Sequence, residues 1–175
     1  NTAVLFGDGA SAAVLSATST KDSGFIDFDL YADGRMKDVI HLPAGGSACP
    51  IDEQAIKDKK DKVVMNGRET FKFAVRAVCD AVEKILADNN MTAHDITFVV
   101  PHQANLRIIE AIAKRLDISM DKFLVNLDRC ANTSAASLFL AYDEANRKSL
   151  FKSGDTILML AIGAGFVWGA GLYRI

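Results

Sequence analysis

His102, in Val100-Pro101-His102-Gln103-Ala104-Asn105, and Asn132, in Ala131-Asn132-Thr133-Ser134, are the side chains whose type and setting are best suited to chemistry. Both sit in polar loops that follow apolar stretches, and ligand sites of α/β proteins favour such strand ends. A third loop of this kind, Gly163-Ala164-Gly165, offers open backbone N–H groups. Singly, each signal is weak. A lone histidine is usually a helix cap or a satisfied buried side chain, an Asn before a helix is an ordinary N-cap, and a Gly-x-Gly is a hairpin turn. In combination, an imidazole, a carboxamide and free N–H groups are the parts of a site that stabilises an oxyanion.

The elements that must position these groups alternate between strand and helix patterns. Thr2–Phe6 reads as a buried strand, Gly7-Asp8-Gly9 as a sharp reversal where a Cβ would clash, and Ala10–Ala17 as a second strand. Ile26, Phe28 and Leu30 alternate with Asp27 and Asp29, the period of a half-buried strand. Residues Ala32 to Asp61 are loop-like, and the charge run Lys57–Lys62 reads as a solvated edge. After the short apolar stretch Val63–Met65, Asn66 as N-cap with Glu69 three residues on opens a helix. Its apolar face is Phe71, Val75, Val78, Val82 and Ile85, and it runs through about Leu86. Thr97–Val100 is a strand, and Leu106, Ile109, Ile112, Ala113 and Leu116 form the face of a second helix. Lys122–Asn126 reads as a short strand, Thr133–Arg147 as a small-residue helix, and Thr156–Ile162 with Phe166–Tyr173 as a closing hairpin. The pattern is an α/β fold: a mixed β-sheet covered by helices.

Composition narrows the classes. In 175 residues, half hydrophobic and 24% charged, there is room for one domain with a proper core. A formal charge of −2 argues against nucleic acid as a partner. Three cysteines, Cys49, Cys79 and Cys130, without a Cys-x-x-Cys, argue for reduced thiols, no metal site and a cytoplasmic protein. No apolar run reaches the ~18 residues of a membrane helix. The chain begins on Asn1 with a strand pattern and no leader, and reads as part of something longer.

Five strings carry a resemblance. They are Phe6-Gly-Asp-Gly-Ala-Ser-Ala-Ala-Val-Leu15, Asn66-Gly-Arg-Glu-Thr-Phe-Lys72, Val100-Pro-His-Gln-Ala-Asn-Leu-Arg-Ile-Ile109, Asn132-Thr-Ser-Ala-Ala-Ser137 and Gly163-Ala-Gly-Phe-Val-Trp-Gly169. In this order they resemble the C-terminal half of the β-ketoacyl-[acyl-carrier-protein] synthase III family, thiolase-like condensing enzymes. The resemblance implies one domain over residues 1–175, with residues 1–17 the last strands of, or the link from, a missing N-terminal half. It implies decarboxylative Claisen condensation of a short acyl-coenzyme A with malonyl on acyl carrier protein, without metal or cofactor, by a cytoplasmic homodimer at full length.

In that family a Cys–His–Asn triad acts. The matching positions are His102 and Asn132, while the cysteine belongs to the other half, so the chain alone is expected to be inactive. The resemblance further assigns the Ala164 N–H to an oxyanion hole, although the family usually has glycine there and at Ala131. It assigns Asn105, Gly67 and Phe71 to the pantetheine arm, and Arg107, Lys114, Arg115 and Lys72 to docking of the acidic carrier protein. Of the cysteines in this chain, Cys79 reads as a core position, Cys49 lies in a Gly/Pro loop and Cys130 stands two residues before Asn132; all three are expected to be structural. Two rivals are a non-catalytic half-subunit that binds coenzyme A or carrier protein, and a related condensing enzyme of polyketide or quinolone synthesis.

Overall fold

A computed structural model describes residues 3–20 and 22–175. Its centre is a four-stranded mixed sheet in the order β1 (Gly24–Ala32), β6 (Val167–Arg174), β5 (Thr156–Gly163), β4 (Phe98–Pro101). The β1–β6 and β6–β5 pairs are antiparallel, and β5–β4 is parallel, with Pro101 opposite Leu160. A two-residue ribbon, β2 (Ile40–His41) with β3 (Val64–Met65), stands apart, and the short helix α1 (Glu53–Lys57) lies between its strands.

Alternation along the strands sends side chains to two helical layers. Val99, Leu158, Leu160, Ala170 and Leu172 pack under α2 (Gly67–Asp88) and α3 (Leu106–Leu116). Val100, Ile157, Met159 and Tyr173 face α5 (Ala136–Arg147). The α2 and α3 helices are each opened by an asparagine cap. The Asn66 carboxamide oxygen accepts the Glu69 N–H at 3.2 Å, and that of Asn105 accepts the Ile108 N–H at 3.0 Å. Each cap satisfies a backbone donor that has no partner within its own helix. Among the described residues no helix is long and apolar enough to cross a membrane.

Several sequence expectations are corrected. Thr2 lies outside the described residues, and Ala3–Leu5 forms one 3₁₀ turn rather than a strand. Phe6 then makes an isolated parallel bridge to Asn132. Ala10–Ala17 has no ladder partner among the described residues, and Val14 and Leu15 are exposed, so no strand forms. Gly7 and Gly9 do not take positive φ. What excludes a side chain there is proximity: a Cβ on Gly7 would stand 2.2 Å from the Cys130 carbonyl oxygen. Lys122–Asn126 contributes one bridge, Phe123 to Val99, because a 3₁₀ turn ends at Lys122 and the one-turn helix α4 (Leu127–Cys130) begins directly after Asn126. The α5 helix starts at Ala136 rather than Thr133, since Ser134 has φ +54°. The supposed loop of residues 32–61 contains β2 and α1.

The helix faces hold at Val78, Val82 and Ile85 on α2 and at Ile109, Ile112, Ala113 and Leu116 on α3, but each differs at its first turn. On α2, Phe73 is buried and Phe71 is exposed; on α3, Ile108 is buried and Leu106 is exposed. On β1 the alternation is present but inverted. Phe28 and Leu30, 62% and 77% exposed, point away from the helices, while Asp27 and Asp29 face α2. There Asp27 accepts from Asn89 at 2.8 Å, and Asp29 meets Lys84 at 3.4 Å and Tyr31 Oη at 2.9 Å. Polar groups on the last turns of α2 therefore take the strand face that hydrophobicity alone would assign to the core.

Candidate functional site

Because β4 and β5 are parallel, their C-terminal ends lie side by side, and the residues that follow them share one edge of the sheet. His102 comes directly after β4, its N–H bonded to the Leu160 carbonyl at 2.6 Å. Its Nδ1 lies 2.6 Å from the hydroxyl oxygen of Ser137, in the first turn of α5. Burial holds its pKa below the ordinary 6.5, opposed by a hydrogen bond to the Ser134 backbone that raises it. The imidazole is thus neutral at pH 7, able to donate from one ring nitrogen and accept at the other.

The next residue, Gln103, is fully buried and acts as a splint. Its Nε2 donates to the carbonyls of Pro101 (2.9 Å) and Leu124 (3.0 Å), and its Oε1 accepts the Asn126 N–H at 3.1 Å. Its backbone N–H donates to Ser137 Oγ at 3.1 Å. The end of β4 and the segment leading to Asn132 are tied together through this one side chain, and the start of α5 through the same residue's backbone N–H.

Asn132 is held from both sides. Its N–H donates to the Leu5 carbonyl at 2.9 Å, and its carbonyl accepts the Gly7 N–H at 3.0 Å. The side-chain Oδ1 accepts the Ser134 N–H at 2.9 Å. A backbone N–H can only donate, so this contact fixes which end of the carboxamide is oxygen. The Nδ2 then faces the Ala104 carbonyl, 3.4 Å away and two residues past His102. One N–H of Asn132 is left to donate elsewhere. Asn132 is not the N-cap of α5, which starts four residues later, so the helix dipole adds little at this distance. The flanking residues carry strain: Ala131 has φ +56° and ψ −161°, and Ser134 has φ +54°.

His102 and Asn132 are therefore brought onto one wall, each with its second polar atom already engaged. The Ala164 turn joins β5 to β6 at the same end of the sheet. It is pinned by Phe166, which stacks on Phe73 at 4.6 Å between ring centres and exchanges two backbone hydrogen bonds with Asp33 at 2.8 and 2.9 Å. The Ala164 N–H meets no backbone acceptor among the described residues. Three surface concavities lie elsewhere, one of them between Asn126, Arg129, Glu144 and Lys148. His102 and Asn132 are each half-buried.

The remaining candidates spread outward. Gly67 is exposed at the first residue of α2, and a Cβ there would meet nothing within 4 Å, so nothing inside this chain requires glycine. Phe71 lies one turn on, also exposed. Asn105 spends its Oδ1 on the α3 cap and keeps its Nδ2. Arg107 is exposed in the first turn of α3, near His102, whereas Lys114 and Arg115 lie in the last turn. Arg115 is bonded to Asp80 at 2.5 Å, and Lys72 stands 3.8 Å from Glu69. Cys79 is buried, with its thiol pushed up to about 11 by desolvation. Among the described residues no group of three or more His, Cys, Asp or Glu could hold a metal ion. Sequence reasoning missed the supporting roles of Ser137, Gln103 and the Leu5–Gly7 segment, although all but Leu5 lie within the strings singled out.

A mixed sheet between helical layers, with an imidazole and a carboxamide beyond its parallel strand ends, is the thiolase-like α/β class. The family described as 3-oxoacyl-[acyl-carrier-protein (ACP)] synthase III C terminal matches residues 86–175, and its companion, 3-oxoacyl-[acyl-carrier-protein (ACP)] synthase III, matches residues 1–34. The chain belongs to the 3-oxoacyl-[acyl-carrier-protein] synthase III family. It is 43% identical over 173 residues to the β-ketoacyl-[acyl-carrier-protein] synthase III of Aliarcobacter butzleri, covering 99% of this chain and 52% of that relative. The solved 3-oxoacyl-(acyl carrier protein) synthase III of Pseudomonas aeruginosa is 34% identical with a TM-score of 0.86, covering 99% of this chain and 51% of that one. The β-ketoacyl-[acyl-carrier-protein] synthase III structure from Thermus thermophilus is 38% identical with a TM-score of 0.86, covering 99% and 53%. The chain thus spans about half the length of the relatives it matches.

Proposed function

We propose that this chain supplies the decarboxylation wall of a decarboxylative Claisen condensation between a short acyl-coenzyme A and malonyl on acyl carrier protein. The observation that carries the reading is that the His102 imidazole and the Asn132 carboxamide share one wall, with Nδ1 and Oδ1 already engaged. One N–H of each then remains for a thioester oxygen. As the bond from the malonyl α-carbon to its carboxylate breaks, CO₂ leaves and the electron pair forms an enolate. Two preorganised donors stabilise that developing charge more than the ground-state carbonyl. The α-carbon then attacks an acyl-cysteine carbonyl and the thiolate departs. No charged base is needed, because loss of CO₂ generates the nucleophile.

The acyl-bearing cysteine comes from outside these 175 residues. Cys79 is buried with a raised pKa, and Cys49 and Cys130 lie in other roles, on a loop and at the end of α4. Residues 1–175 form one domain, with residues 1–17 leading from the nucleophile-bearing half. Ala164 offers its N–H to the acyl-cysteine carbonyl; Asn105, Gly67 and Phe71 flank the pantetheine arm. Arg107 leads a basic surface with Lys114, Arg115 and Lys72 for the acidic carrier protein. The whole enzyme works as a cytoplasmic homodimer, without metal or other cofactor.

The test separates two half-reactions in the full-length protein: acyl transfer from acyl-coenzyme A, and CO₂ release from malonyl-carrier protein. His102→Ala and Asn132→Ala are each expected to cut decarboxylation about 10²–10³-fold, while acyl transfer to cysteine persists. Decarboxylation at the wild-type rate in both variants would overturn the reading and favour a binding half-subunit.

A further inference from the structure

Ser137 is 1% exposed, so its hydroxyl must find partners inside the protein. One lone pair of its Oγ accepts the Gln103 N–H, an unambiguous donor, at 3.1 Å. That leaves the hydroxyl proton to place. Among the described residues the hydroxyl makes no hydrogen bond to a carbonyl of its own helix, where the Ser134 oxygen takes the Ser137 backbone N–H at 3.1 Å. Among the described residues one acceptor lies within reach, His102 Nδ1 at 2.6 Å.

We propose that Ser137 is a positioning residue that sets the tautomer of His102: its O–H donates to Nδ1, so the imidazole proton resides on Nε2. The inference rests on the functional reading above and extends it from which residues donate to what makes one of them a donor. With the opposite tautomer, Nδ1–H would donate to Oγ, and the buried hydroxyl would be left without a protein acceptor among the described residues. The cost of one such unmade bond corresponds to a tautomer ratio of about tenfold or more. Only the Nε2–H form can donate to a substrate oxygen while Nδ1 faces Ser137. Gln103 is part of the device, because its N–H holds the Ser137 oxygen in place beside the ring. The O–H to Nδ1 bond exists only while Nδ1 is bare, so Ser137 also favours the neutral ring. Neither ring nitrogen bonds an ionisable side chain among the described residues; the other influences are burial and the Ser134 backbone.

The experiment is ¹⁵N NMR of the histidine ring nitrogens in the full-length protein, with His102 assigned by its loss in His102→Gln. The wild type is expected to show Nε2 protonated and Nδ1 bare above pH 7. Ser137→Ala should give a mixture of tautomers, lower kcat about tenfold with little change in KM for malonyl-carrier protein, and move the acid limb of activity to higher pH. Ser137→Thr, which keeps the hydroxyl, should restore the tautomer and the limb. A proton on Nδ1 in the wild type, or an unchanged tautomer in Ser137→Ala, overturns the proposal. The spectrum needs no turnover, so a protein that fails to condense malonyl-carrier protein would sink the functional reading and leave this result standing on its own.

Discussion

Gly7→Ala puts a single methyl group against the loop that carries Asn132. The added Cβ would lie 2.2 Å from the Cys130 carbonyl oxygen and 3.2 Å from the Ala131 Cβ. Ordinary contacts begin near 3.4 Å, and the nearest obstacle is backbone rather than the end of a flexible side chain. One of the two segments must therefore move by about 1 Å. Two backbone hydrogen bonds lie in the way, Gly7 N–H to Asn132 and Asn132 N–H to Leu5. Overpacking costs about 1–3 kcal/mol and the loss of one of these bonds adds about 1 kcal/mol, so unfolding stability should fall by roughly 2–4 kcal/mol. Displacement of a positioned group by ~1 Å can cost about a hundredfold in rate, and the loss should appear in kcat for the malonyl step. Gly9→Ala is the natural comparison, since its nearest obstacles are side-chain atoms of Leu140 and Thr133 at 2.9 Å, which can yield. Urea unfolding and single-turnover decarboxylation measure both effects. A Gly7→Ala protein with wild-type stability and rate would refute the idea that the Leu5–Gly7 segment holds Asn132.

Ala131→Gly should stabilise the protein, because Ala131 occupies φ +56° and ψ −161°, a region where a Cβ is strained. Relief of about 1–3 kcal/mol less the greater chain entropy of glycine leaves a net gain of ~1 kcal/mol, or about 2–4 °C in Tm by calorimetry. The pH dependence follows from His102, whose pKa is lowered chiefly by burial. The unfolded chain takes up this proton near pH 6.5 and the folded protein only at lower pH. The associated stability is therefore complete above 6.5 and is lost as pH falls from there through the depressed folded value. Condensation should show its acid limb below pH 6.5, and a limb above that value would contradict a buried neutral imidazole. Cys79, buried with a pKa of about 11, should resist thiol reagents under native conditions while the half-exposed Cys49 and Cys130 react; mass spectrometry of the labelled protein would show modification at Cys79 if the α2–α3 core were open.

Local patterns in the sequence account for the elements that close on themselves. The α2 and α3 helices are legible because a cap and a 3.6-residue apolar period both lie within a dozen or so residues, and the β5–β6 hairpin because its turn and two apolar runs are contiguous. The strings around His102 and Asn132 single out both residues, and their joint role is the proposal made above. What the sequence could not decide is which neighbour each segment meets. The strand signal in Thr2–Phe6 became a 3₁₀ turn and a single bridge to Asn132, and Ala10–Ala17 stayed unpaired, since a strand exists only where a ladder partner does. The apolar side of β1 faces outward because Lys84 and Asn89 on α2 receive its aspartates. Above all, composition and spacing identified an imidazole, and only tertiary structure placed the Ser137 hydroxyl on its Nδ1. Residue types set what a side chain can donate or accept; the three-dimensional neighbours, often dozens of residues away, decide which of those capacities are already used and which are left for chemistry.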